Sequence, residues 1–135
     1  MALFEWTQEY SVSVLRFDSD HKKLFALINQ LNDAMAEGRG RFTVVPVLRE
    51  LADYARRHCA AEEDTTRRIG YAGLEEHTAE HRIFSAKVEE FYVEFTASRD
   101  AIPIDVLFFL RDWLQKHVLS TDRKYAEAMN RAGIH

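Results

Sequence analysis

Apolar residues recur at steps of three and four through most of this chain, which is the period of a helix with one buried face. A first stripe of His21, Leu24, Phe25, Ile28, Leu31 and Met35 predicts a helix from about Asp20 to Glu37, capped by Asp18 or Asp20 and stopped by Gly38. The stripe Val44, Val47, Leu48, Leu51, Ala55, His58, Glu62 and Ile69 predicts a second helix, starting between Thr43 and Pro46 and ending at Gly70. A proline fits there because first-turn N–H groups have no intrahelical partner. Leu74, His77, His81, Phe84, Val88, Phe91 and Phe95 mark a third helix, from about Ala72 to Phe95. The fourth begins near Pro103 and carries Leu107, Leu110, Trp113 or Leu114, and His117; a short helix from Thr121 to Arg131 follows. Such helices, joined by short connections, predict an all-α fold, an up-down-up-down four-helix bundle. The expected layout is one domain over residues 1–135, with an N-terminal arm at 1–17, the bundle at 20–120 and a C-terminal tail helix at 121–135. Trp6, Val12, Val14, Leu15 and Phe17 make the arm too apolar to hang free.

The stripes contain residues that do not belong on a buried face. Five of the six histidines sit on them, at least one per helix, together with Glu62. Any one would pass as a hydrogen-bonded core histidine, but their depths agree. His21 starts the first helix, His58 and Glu62 lie late in the second, His77 and His81 early in the third, and His117 late in the fourth. Alternating chain direction brings them all to one end of the bundle. Burying that many polar groups unpaired would cost roughly 1–3 kcal/mol each. Metal coordination is the compensation that suits several imidazoles and carboxylates together.

The spacings agree with that reading. His58 with Glu62, and His77 with His81, are four apart, so each pair points within about 40° of one direction. Asp122 lies five beyond His117, which on a regular helix turns it away by about 140°. To join the site it needs the helix to end or bulge across "VLSTD", where Ser120 and Thr121 are weak helix formers. Cys59, about 100° from His58 on the helix, reads as a packed thiol. Tyr54 reads as a core or site-lining tyrosine. Glu63, Asp64, Glu75 and Glu76 read as a solvated face, and the terminal His135 has no pattern.

Composition narrows the function. Eighteen Lys and Arg stand against 22 Asp and Glu, a net charge of −4 with no basic patch, so nucleic acid and anionic membrane are not expected partners. The single cysteine leaves no intrachain disulfide. Glu5 stands where a signal peptide would be positive, and no apolar run is long enough to span a membrane, so a cytoplasmic monomer is expected.

These segments resemble bacterial hemerythrin from Trp6 to Tyr125. "WTQEYSV" is similar to the family's Trp-led arm, "DSDHKKLF" to its first ligand segment, "YARRHCAAEE" to its His-x-x-x-Glu segment, "GYAGLEEHTAEH" to its Gly-Tyr turn and His-x-x-x-His pair, and "RDWLQKHVLSTD" to its Trp-Leu-x-x-His segment with Asp five later. The resemblance implies two non-haem iron ions that bind O2. One iron would take His77, His81 and His117, the other His21 and His58. Glu62 and Asp122 would bridge them, with an oxo or hydroxo group as third bridge. The iron with two histidines would keep the open position for O2, which makes the protein an oxygen carrier, store or sensor and not an enzyme. A redox or oxygen-consuming protein partner is left open. The chain departs from the family at Cys59, where phenylalanine is usual, at Thr66, where methionine or leucine is usual, and at Ser13, a common glycine.

Phe25, Thr66 and Leu114 each lie one turn from a ligand position and are the candidates for the O2 pocket. The Thr66 hydroxyl would either hold a water there or turn back onto the carbonyl of Glu62. Three other readings compete. His77-Thr78-Ala79-Glu80-His81 fits the inverted zinc-peptidase motif, with Glu80 as general base. That leaves His21, His58 and His117 unexplained. A ferritin-like carboxylate site needs Glu-x-x-His pairs, which the chain lacks. Handling of peroxide, nitric oxide or iron at the same metal pair is the remaining alternative.

Overall fold

The computed structural model describes residues 3–37, 41–97 and 104–135. Helix α1 spans Leu15–Ala36, α2 Arg41–Arg68, α3 Leu74–Ala97, α4 Ile104–Lys116 and α5 Arg123–Arg131. Between α4 and α5 the segment His117–Asp122 is π-helical. Helix α1 packs on α2, α2 on α3, and α4 on both α3 and α1, which closes the up-down-up-down ring. Leu27, Ile28, Leu31, Leu48, Leu51, Leu107 and Leu110 are fully buried along its axis. The purely apolar half of each stripe thus fills one end of the bundle, and the histidine half is left for the other.

Helix α1 begins a turn earlier than its sequence suggests. Asp18 and Asp20 were expected as caps, since Asp is a strong N-cap residue, but neither serves. The Asp18 carboxylate accepts the Val12 N–H at 2.7 Å and the Ser11 hydroxyl at 2.6 Å. It therefore ties the arm down from inside the helix. The tight turn between them puts Ser13 at φ 58, a left-handed conformation that glycine adopts at least cost. Helix α2 also starts early, so Pro46 falls inside it. Lacking an N–H, Pro46 leaves the carbonyl four residues back without its intrahelical donor. Gly38 and Pro103, the expected stop of the first helix and start of the fourth, lie outside the described residues.

Gly70 ends α2 as expected. At φ 67 it lets the Tyr71 N–H reach the Thr66 carbonyl at 2.9 Å, while its own N–H reaches Arg67 at 3.1 Å. These two bonds are the Schellman pairing that satisfies a helix's last carbonyls. The arm is anchored twice. Phe4 stacks on Phe25 with ring centroids 4.1 Å apart, and its backbone pairs with the Asn29 amide. Val12, Val14 and Phe17 are buried against Tyr125 and Met129 of α5. Leu15, expected among the anchors, is 78% exposed, because at the first position of α1 its side chain falls on the outer face. Among the described residues no helix is long and apolar enough to cross a membrane.

Candidate metal centre

The seven singled-out residues meet in one buried layer: His21, His58, Glu62, His77, His81, His117 and Asp122 are each at most 5% exposed. The π segment solves the problem of Asp122. A wider turn absorbs one more residue, so a five-residue step returns to the face it left. Asp122 Oδ1 thus lies 2.9 Å from His117 Nε2. The expected end or bulge is therefore a π turn, with α4 running on into α5.

The donors fall into two groups. Glu62, His77, His81, His117 and Asp122 form one, and His21, His58, Glu62 and Asp122 the other, with the candidate atoms in each within 4.8 Å of one another. Glu62 and Asp122 belong to both. Asp122 divides its oxygens between them, Oδ1 lying 3.0 Å from His77 Nε2 and Oδ2 3.1 Å from His21 Nε2. Glu62 Oε1 lies 3.2 Å from His58 Nε2 and 3.1 Å from His81 Nε2, and Oε2 lies 3.3 Å from His21 Nε2.

These distances test whether cations fit. Nε2 of His21, His81 and His117 and both oxygens of Asp122 are buried and make no hydrogen bond, although they sit near hydrogen-bond distance of one another. Unpaired buried polar atoms are rare and call for a partner. Ligands of one six-coordinate ion with bonds of about 2.1 Å lie about 3 Å apart along the polyhedron's edges, which is the spacing found here. The donor set, imidazole with carboxylate, suits iron and its first-row neighbours.

The electrostatics point the same way. Burial disfavours the charged form of both carboxylates. Even so, the surrounding imidazoles hold Glu62 well below the usual carboxylate range, and His117 and His21 hold Asp122 low against the added repulsion of Glu62. Burial likewise disfavours charged imidazoles, yet Asp122 and Glu62 lift His21 to about 10 and His77 to about 9. The same burial is outweighed at His58, which Glu62 and Asp20 lift to about 9. Two anions in a dry interior draw positive charge inward, from protons or from cations.

Around this layer stand residues that sequence reasoning assigned elsewhere. Asp20, expected as a cap, places Oδ2 2.8 Å from His58 Nδ1 and accepts the Tyr54 hydroxyl on Oδ1 at 2.9 Å. Glu63, expected on a solvated face, faces His81 Nδ1 at 3.1 Å. Glu80 faces His117 Nδ1 at 3.3 Å and accepts the Thr121 hydroxyl at 2.7 Å. With Glu80 so engaged, the zinc-peptidase motif has no free general base. The fully buried Tyr125 donates its hydroxyl to Glu62 Oε2 and stacks on His77. One signal was available: Asp20, Glu63 and Glu80 each stand next to a site residue, and a one-residue step turns about 100° toward the neighbouring helix.

A small cavity of about 10 Å³ lies among the donors, walled by Leu24, Ala55, Cys59, Phe84, Trp113 and Leu114. Of the three pocket candidates only Leu114 lines it. Phe25 packs instead against Phe4, Trp6 and Tyr10 of the arm. The Thr66 hydroxyl donates to the carbonyls of Glu62 at 2.8 Å and Glu63 at 3.1 Å, the backbone-directed alternative. Cys59 is buried on the cavity wall and belongs to neither donor group; burial pushes its thiol well up.

The family model of the hemerythrin HHE cation binding domain matches residues 13–129. The bacteriohemerythrin of Clostridium acetobutylicum is 31% identical over 132 residues, covering 93% of this chain and all of that protein. That of Methylococcus capsulatus is 32% identical over 131 residues, covering 96% and 99%. A crystal structure of wild-type hemerythrin superposes with a TM-score of 0.89 at 32% identity, covering 95% of this chain and 98% of that one. On the extent of these matches, and on the donor layer that the four-helix ring builds, the chain belongs to the hemerythrin family.

Proposed function

We propose that the chain binds O2 reversibly at a pair of non-haem irons, as a carrier, store or sensor and not as an enzyme. One observation carries this: two donor groups share Glu62 and Asp122 and no other residue. In this reading His77, His81 and His117 hold one iron, and His21 and His58 hold the other. Glu62 and Asp122, which belong to both donor groups, would be shared by the two ions. With one imidazole fewer, the His21–His58 group would be the side that leaves room for O2. When bound, such a pair supplies two electrons that O2 takes up and gives back on release.

The chain's own part is to fix the donors and keep the site dry. Tyr125 holds Glu62 through Oε2. The π turn aims Asp122. The apolar cavity wall excludes water and with it proton leakage, the general threat to a reactive buried site. A cytoplasmic monomer remains our expectation. Handling of peroxide or nitric oxide at the same irons is the second reading.

The test is direct. Reduced protein loaded with iron should hold two irons per chain, be nearly colourless, and gain a visible charge-transfer band in air that disappears on deoxygenation. One metal per chain, or a band that never reverses, overturns the reading.

The cavity wall makes a second expectation. Leu114→Ala opens it and should speed decay of the oxygenated band several-fold. Thr66→Val should decay like wild type, because the hydroxyl it removes is spent on backbone carbonyls one turn away. Faster or slower decay in Thr66→Val at equal iron content would show that Thr66 acts in the pocket.

A further inference from the structure

The inward-facing imidazoles differ on their outer edges. Nδ1 of His21 and His77 has no hydrogen-bond partner. Nδ1 of His58, His81 and His117 faces a carboxylate at 2.8, 3.1 and 3.3 Å. His81 and His117 belong to the larger donor group. Asp20–His58, the shortest of the three bonds, is the one outer carboxylate contact of the His21–His58 group among the described residues.

We infer that Asp20, shared between His58 and the Tyr54 hydroxyl, is a positioning residue that sets how strongly His58 donates to the ion that takes O2. The inference rests on the functional reading above. With Nε2 turned inward, Nδ1 carries the proton and donates it to Asp20 Oδ2. A carboxylate at that edge fixes the ring and makes the imidazole a stronger donor. Bonds from N–H to an ionised oxygen are also stronger than neutral ones. His58 and Asp20 side chains are 4% and 20% exposed, so water screens the bond little. A stronger donor favours the more oxidised ion, and O2 binding withdraws electrons from the ions. The Asp20 contact therefore favours the oxygenated state.

Tyr54 acts in the opposite sense. Its hydroxyl donates to Asp20 Oδ1 at 2.9 Å, which draws charge from the carboxylate that His58 also uses. Two donors thus compete for one anion, one leading to the metal and one to the half-buried face of α2.

This competition gives a test with opposite signs. Asp20→Asn keeps the shape and removes the charge. The midpoint potential of the iron-loaded protein should rise, O2 should dissociate faster, and metal affinity should fall roughly 10- to 100-fold, the usual range for losing such a partner. Tyr54→Phe removes the competitor, so the potential should fall and O2 should dissociate more slowly. Potentials that move the same way in both variants, or in neither, overturn the inference and leave Asp20 as a purely structural prop. The bond has its own readout in zinc-loaded protein. The His58 Nδ1 proton should appear as a slowly exchanging, far-downfield NMR resonance, moving upfield in Asp20→Asn and further downfield in Tyr54→Phe. Its absence in wild type overturns the proposal. If wild type shows this proton with zinc yet takes up no O2 with iron, the functional reading fails, and the potentials, which need no O2, still decide the role of Asp20.

Discussion

Glu62→Ala should strip both metal ions from the chain together. Glu62 is fully buried, belongs to both donor groups, and has Oε1 near the imidazoles of His58, His77 and His81 and Oε2 near that of His21. In the proposed assignment its removal would deprive each ion of a ligand and leave Asp122 as the one carboxylate common to the two donor groups. It also orphans the Tyr125 hydroxyl in a dry interior, a loss of about 1–3 kcal/mol by itself. Metal binding to a folded site stabilises the fold, so the melting temperature should drop with metal content. His21→Ala makes the contrast. It touches the smaller group only, and the His77–His81–His117 side should keep its ion in part of the population. Metal analysis alongside thermal melts checks both. Two irons and normal oxygen binding in Glu62→Ala would show that Glu62 is no bridge.

Tyr125→Ala should be the most destabilising change outside the donor set. The ring is fully buried, lies edge-on to Phe17 with centroids 5.8 Å apart, and stacks on His77 at 5.5 Å. Deleting a buried aromatic side chain costs about 3–5 kcal/mol through lost transfer energy and the cavity left behind. Here the arm, α5 and the metal layer meet on that one ring, so there is little slack to collapse. Tyr125→Phe separates the parts. It keeps the ring and frees Glu62 Oε2, and should cost about 1.5–3 kcal/mol, the range for a hydrogen bond to a charged group. Denaturant unfolding of the three proteins measures the split. Equal stability of Tyr125→Phe and wild type would mean that the hydroxyl does not hold Glu62.

How much of this was legible in the sequence depends on the length scale of each feature. The stripes and Gly70 fixed four helices, because hydrophobic period and a left-handed helix stop are local properties. The stripes also placed His21, His58, Glu62, His77, His81 and His117 at one depth, since antiparallel neighbours of similar length align their ends. Asp122 could only be suspected: whether five residues make a π turn is settled by what the helix must satisfy on both sides of it, His117 behind and the buried Tyr125 and Met129 ahead. The outer partners were legible only as sequence neighbours of site residues, for a related reason. On their own helices Asp20 reads as a cap, Glu63 as a solvated acid and Glu80 as part of a zinc-peptidase motif, and each finds its imidazole on a different helix. Their roles depend on the rotation of one helix against another, which no single stripe encodes. Thr66 and Phe25 sit one turn from donor positions, yet neither reaches the cavity. The helical wheel gives a direction; the arm decided what Phe25 would meet, and the backbone of α2 claimed the Thr66 hydroxyl. The sequence by itself determined that imidazoles and carboxylates would be buried together. Tertiary packing alone decided that they divide into two groups sharing Glu62 and Asp122, because sharing is a matter of ångström distances between four helices.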